Sequence, residues 1–123
     1  MSHYNNQKSS ISIYTKYVEF VLYTNNILNK YPKKETFTLV SEIKNIMYKG
    51  LENLIYALKS YNSKEKLSYL RSFDVQLTLM KIQVRISYKL KYISMQNYQT
   101  WSEKITDLSN MLGGWINYAK KNK

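Results

Sequence analysis

Apolar residues spaced three and four apart recur from Ile13 to Ala119, and that period belongs to the α-helix. Little interrupts it. Three glycines (Gly50, Gly113 and Gly114) and one proline (Pro32) are too few to punctuate strands and hairpins. The first row runs Ile13, Tyr17, Phe20, Thr24, Ile27, Leu28 and Tyr31. Pro32 ends it, because proline disfavours the helical conformation of the preceding residue and offers no amide donor. The second row is Leu39, Ile43, Ile46, Met47, Leu51, Leu54, Ile55 and Leu58, closing near Tyr61. Asn62-Ser63 marks a turn, with Ser63 expected as N-cap and Glu65 in the first turn of a third helix that reaches about Tyr92. Ser94 is expected to cap a fourth, carrying Tyr98, Trp101, Ile105, Leu108, Leu112, Trp115 and Ala119 in a near-heptad pattern. Four amphipathic segments with short connections predict an all-α, antiparallel up-down four-helix bundle.

At 123 residues the chain suits one domain, with roughly two-thirds of its extended surface buried. Residues 1–10 are expected to form a flexible leader and 11–121 the bundle. Cysteine is absent and His3 is the one histidine, which excludes disulfide frameworks, thiolate zinc sites and the usual nucleophilic triads. The carboxylates make no helical pair with histidine, and no glycine-rich phosphate loop occurs, so no catalysis, cofactor or metal is expected. No apolar run is long enough to span a membrane, and the leader does not read as a signal peptide. A cytoplasmic location is expected.

The third segment has two apolar rows. Leu70, Phe73, Leu77, Met80 and Val84 share one side; Val75, Leu79, Ile82, Ile86, Leu90 and Ile93 fall nearly opposite. A helix in an isolated bundle needs one buried row, so the second predicts self-association with closed cyclic symmetry. The alternative is a central helix enclosed by its sisters. Between the rows, Arg71, Lys81, Arg85 and Lys89 form one edge, the last three rising about 6 Å per step. No carboxylate stands four residues from Lys81, Arg85 or Lys89, whereas a solvated helix usually interleaves signs. The chain holds 19 Lys+Arg against 8 Asp+Glu, a net charge of +11. Lysine, asparagine, isoleucine and tyrosine are also what an AT-rich genome over-supplies, so placement of the charge carries more than its amount.

Aromatics on the rows (Tyr17, Phe20, Tyr98, Trp101 and Trp115) read as core, while Tyr4, Tyr14 and Tyr69 are freer and form no evident stacking platform. Gly113-Gly114 sits inside the strongest helical pattern, where two glycines cost roughly 2 kcal/mol relative to alanine. Close helix–helix approach at Gly113, Gly114 and Trp115 is the expected compensation, with a helix break at Leu112 as the alternative.

Met111-Leu112-Gly113-Gly114-Trp115-Ile116 resembles the closing signature of the accessory variability determinant (Avd) proteins, four-helix bundles that accompany the reverse transcriptase of diversity-generating retroelements. Tyr31-Pro32-Lys33-Lys34-Glu35 followed by Phe37-Thr38-Leu39 is similar to that family's junction between helices one and two. Lys81 to Ser87 resembles its doubly basic segment, with Lys81 and Arg85 at the basic positions, and Ile93-Ser94 with Tyr98 resembles the start of helix four. The chain departs at Val40, Glu42, Ser109 and Asn110, where the family favours glycine and arginine. The resemblance implies a homopentameric barrel that binds RNA or DNA with little sequence preference and docks with a reverse transcriptase. The bundle proteins of ribosomal-RNA intervening sequences share the architecture and are the nearest alternative family.

Three functions follow in order of support: a non-catalytic nucleic-acid-binding accessory protein, a scaffold for an acidic protein partner, and an enzyme. In the first, Arg71, Lys81, Arg85 and Lys89 hold phosphates. Membrane-surface binding is disfavoured, because no helix joins a free apolar face to a dense lysine face.

Overall fold

The computed structural model describes the backbone of residues 2–121 and side chains from residue 12 onward; the backbone of 2–10, expected as a leader, belongs to the first helix, and the side chains there, Tyr4 among them, lie outside the described residues. Four helices make up the chain: α1 (Ser2–Leu28), α2 (Leu39–Lys59), α3 (Ser63–Lys89) and α4 (Met95–Lys121). A single 3-10 turn at Lys33–Glu35 leads into α2. No strand occurs among the described residues. Successive helices run antiparallel, and α1 and α3 each pack against α2 and α4, with the α1–α2 contact the loosest.

The inward rows predicted from spacing form the core. All seven first-row residues are buried, as are Leu70, Phe73, Leu77, Met80 and Val84 of α3 and Trp101, Ile105, Leu108, Leu112, Trp115 and Ala119 of α4. On α2 the row is centred slightly differently: Val40 and Ala57 are buried and Ile55 is exposed.

Two buried polar ties set the depth at which these rows mesh. Trp101 Nε1 donates to Thr24 Oγ1 at 3.0 Å, which explains a threonine on the apolar row of α1. An unpaired indole N–H or hydroxyl there would cost about 1–3 kcal/mol. Tyr17 Oη donates to the Met47 carbonyl at 2.6 Å, and burial raises its pKa. Its ring lies edge-on to Phe73, centroids 5.0 Å apart. Gly50 makes room for this: a Cβ there would stand 2.5 Å from Tyr17 Oη.

The helix ends have local causes. Asn62, not the expected Ser63, is the N-cap of α3; its side-chain oxygen accepts from the amides of Lys64 (2.8 Å) and Glu65 (3.1 Å). Asparagine and serine cap comparably, so adjacent candidates differ only in where the chain turns. Ser94 caps α4 as expected, accepting from the Asn97 amide at 3.0 Å. α3 stops at Lys89, short of Tyr92. The Tyr92 amide donates to Ser87 O and the Lys91 amide to Tyr88 O, a Schellman turn that places Lys91 at φ 66°. The turn also carries Ile93 off the outer row of α3 and into the core, where it is buried.

At the same end of the bundle Glu35 joins two connections. Its carboxylate accepts from Thr38 Oγ1, more distantly from the Leu39 amide, and from Tyr92 Oη at 2.6 Å. The Thr38 and Tyr92 hydrogen bonds, with a smaller contribution from the Lys34 charge, hold the Glu35 carboxyl below its usual range. Because the folded carboxyl titrates below its unfolded counterpart, this stabilisation is complete above about pH 4.3 and is lost as pH falls through the lowered value. Glu35→Gln is therefore expected to lower the urea midpoint at pH 7 and to match the parent chain near pH 2. A gap between the two that persists unchanged at acid pH would exclude this account.

Candidate functional site

The outward side of α3 is the most distinctive surface of the molecule. α2 and α4 cover only its inner row, so Val75 (54 % exposed), Leu79 (37 %), Ile82 (49 %), Ile86 (40 %) and Leu90 (50 %) face solvent. Within the protomer the helix is not enclosed. Ile93, expected with this row, is instead in the core because α3 ends before it. The five span an arc of about 80° on the helix, and Arg71, Lys81, Arg85 and Lys89 occupy the arc beside it. All four cations are exposed. None of them forms an ion pair among the described residues, where Lys16–Glu19 is the salt bridge observed, at 3.9 Å. One helix thus presents aliphatic and cationic strips side by side, contrary to the expectation that no helix joins a free apolar face to lysines.

A second apolar surface lies across α1 and α2, where Tyr14 (43 % exposed), Leu22 (66 %), Tyr48 (45 %) and Ile55 reach solvent. Asn25 Nδ2 donates to Tyr48 Oη at 3.0 Å, linking the two helices. Reading α1 for its principal row passes over Tyr14, Val18 and Leu22, which repeat every four residues on another face. That repeat was the available signal. Tyr69, read as free, is half-buried and stacks on Tyr56 with centroids 5.0 Å apart.

The glycine pair behaves differently from expectation. α4 runs unbroken through Gly113 and Gly114, and a Cβ at either position would meet nothing within 4 Å. No helix of the same protomer approaches there, since the inward side of this stretch belongs to Leu112 and Trp115. Of Gly113, Gly114 and Trp115, it is Trp115 that packs: it is buried beside Leu112, with Lys66 Nζ 5.6 Å from its ring centroid. Desolvation there lowers the Lys66 pKa. Among the described residues, no cluster of three or more His, Cys, Asp or Glu is placed to hold a metal, and no helix is long and apolar enough to cross a membrane.

The sequence matches a model of the bAvd-like family over residues 11–119. Among solved structures, the fold is similar to a protein of unknown function from the S23 ribosomal protein family of Bacteroides thetaiotaomicron VPI-5482. The TM-score is 0.82 over 89 % of this chain and 98 % of that one, at 14 % identity, a likeness of fold. No curated protein matches the sequence.

The glycine geometry gives a direct test. With open space at Cβ, Gly113→Ala and Gly114→Ala should each stabilise the isolated protomer by about 1 kcal/mol. Gly50→Ala should instead destabilise it by about 1 kcal/mol or more, through collision with Tyr17. Urea unfolding ranks the three. A loss of stability in the Gly114→Ala protomer would contradict the geometry of α4.

Proposed function

Because the chain belongs to the bAvd-like family, we propose that it is a non-catalytic accessory protein of a reverse transcriptase. In this reading it assembles into a ring and binds RNA or DNA through cations carried on α3. The observation that carries the reading is the adjacency, on one helix, of an uncovered aliphatic strip and an unpaired cationic strip.

Self-association is supported by the number and position of the apolar surfaces. A two-fold dimer uses one patch twice, whereas a head-to-tail interface needs two unlike patches. Here the α3 strip and the α1–α2 surface are unlike and lie on different faces. Seating one against the other in successive copies generates a ring, and the Avd resemblance favours five subunits. Burial of each large aliphatic side chain contributes about 1.5–3 kcal/mol before association costs.

Nucleic-acid binding follows from what such a ring does to charge. Arg71, Lys81, Arg85 and Lys89 flank the seam, so assembly concentrates cations that repel one another until a polyanion lies among them. Affinity then comes from counterion release and falls steeply with salt, with little base readout. Docking with a reverse transcriptase rests on family membership, and the ring exposes repeated copies of one surface to it.

Two experiments test the reading. Ile82→Glu with Ile86→Glu should convert the assembly to single protomers in sedimentation velocity while helicity is kept. A parent chain that already sediments as one protomer would remove the ring. Arg85→Glu should leave the assembly intact, reduce affinity for RNA and DNA roughly tenfold or more at about 50 mM salt, and flatten the salt dependence. Unchanged binding would take the site away from α3; retention of neither nucleic acid by the parent would favour a protein scaffold.

A further inference from the structure

Phe37 is 91 % exposed, more than any aliphatic side chain of the α3 strip, and it lies in a turn rather than on either helix surface described above. It follows the 3-10 turn that enters α2. The Glu35–Tyr92 hydrogen bond at 2.6 Å and the Tyr31–Tyr92 ring contact at 5.5 Å tie this junction to the α3–α4 turn. One end of the bundle therefore presents an exposed aromatic ring together with Lys33, Lys34, Lys89 and Lys91, all exposed and none ion-paired among the described residues, and with the half-exposed Leu90 and Met95.

Two features make this more than a lysine-rich loop. Glu35, the carboxylate at the junction, directs its oxygens to Thr38, Leu39 and Tyr92 and forms no ion pair with the lysines beside it. Lys91 occupies the left-handed position of a Schellman turn, where glycine is favoured and a side chain carries a backbone penalty. The fold thus holds a cation at the tip of the turn despite a backbone penalty.

We propose that this end is a grip for single-stranded nucleic acid, with Phe37 stacking on an unpaired base and Lys33, Lys34, Lys89 and Lys91 holding the flanking phosphates. The proposal rests on the nucleic-acid reading above and deepens it: it specifies an unpaired strand and places the contact at the end of the bundle, beyond the α3 edge. One ring matches one base, and base–aromatic stacking combined with backbone cations is how proteins hold single strands without reading sequence. A lipid surface needs a continuous apolar face; here the exposed apolar side chains, Phe37, Leu90 and Met95, come singly from three segments and are flanked in sequence by the exposed polar residues Thr36, Thr38, Lys89, Lys91 and Ser94.

Phe37→Trp in the full chain supplies the probe. Trp101 and Trp115 are 0 % and 3 % exposed, so their emission provides a constant background against which an exposed indole is read. Oligo(U) or oligo(dT) of about 15 nucleotides is expected to quench the new indole with the same midpoint as the anisotropy of the labelled strand, and a duplex of equal length to quench it little. Phe37→Ala should weaken single-strand binding roughly tenfold and duplex binding hardly at all. Quenching absent while anisotropy still reports binding overturns the grip and leaves the α3 reading standing. No binding of either oligonucleotide by the parent chain overturns both. An emission change with phosphatidylserine vesicles but with neither oligonucleotide also overturns the grip, and assigns the end to a membrane surface.

Discussion

Four helices around one core leave each helix a single side to bury, and α3 carries two aliphatic rows. The inner row of Leu70, Phe73, Leu77, Met80 and Val84 is consumed by packing against α2 and α4. The outer row has no helix left to meet it. Five large side chains on one helix face are therefore held at the surface by the geometry of the bundle itself. This constraint shapes the rest of the surface, because the cations of α3 lie directly beside that row.

How deeply the helices mesh depends on ties that spacing alone does not reveal. Tyr17 reaches across to the Met47 carbonyl beside Gly50, and Trp101 is anchored on Thr24. Each satisfies a buried polar group that would otherwise be costly, so each admits a narrow range of helix depth and register. At the other level of the bundle, Glu35 and Tyr92 link the two connections that share an end. Helices fixed in this way present α3 outward as a stiff rod. In the proposed assembly, charges on such a rod would keep their spacing, which would limit the ordering entropy of recognition.

The glycines illustrate how one residue type serves unlike purposes. At Gly50 the missing Cβ admits the Tyr17 hydroxyl, an arrangement internal to the protomer. At Gly113 and Gly114 the missing Cβ admits nothing within it, and the helix bears a propensity cost of roughly 2 kcal/mol with no intramolecular return. Bare backbone on the outer side of α4 lies beside the buried Trp115, the two halves of the signature facing opposite ways. Nothing in the protomer explains the pair.

Period and punctuation in the sequence were enough to define four helices, their inward rows, the stop before Pro32 and the cap at Ser94, because these depend on local dihedral preference and on which residues avoid water. They also exposed the surplus row on α3, since a helix wheel needs no neighbours. Other features depended on where the chain turned and on how the helices packed against one another. Ile93 left the outer row because a Schellman turn redirected the chain; Gly113 and Gly114 turned away from the core because Leu112 and Trp115 faced it; Leu22, Tyr48 and Phe37 became surface because of where α1 and α2 lie relative to one another. Burial is a property of the assembled helices, so apolar character could be read from the chain, while the side on which it would remain uncovered was decided only by the packed tertiary structure.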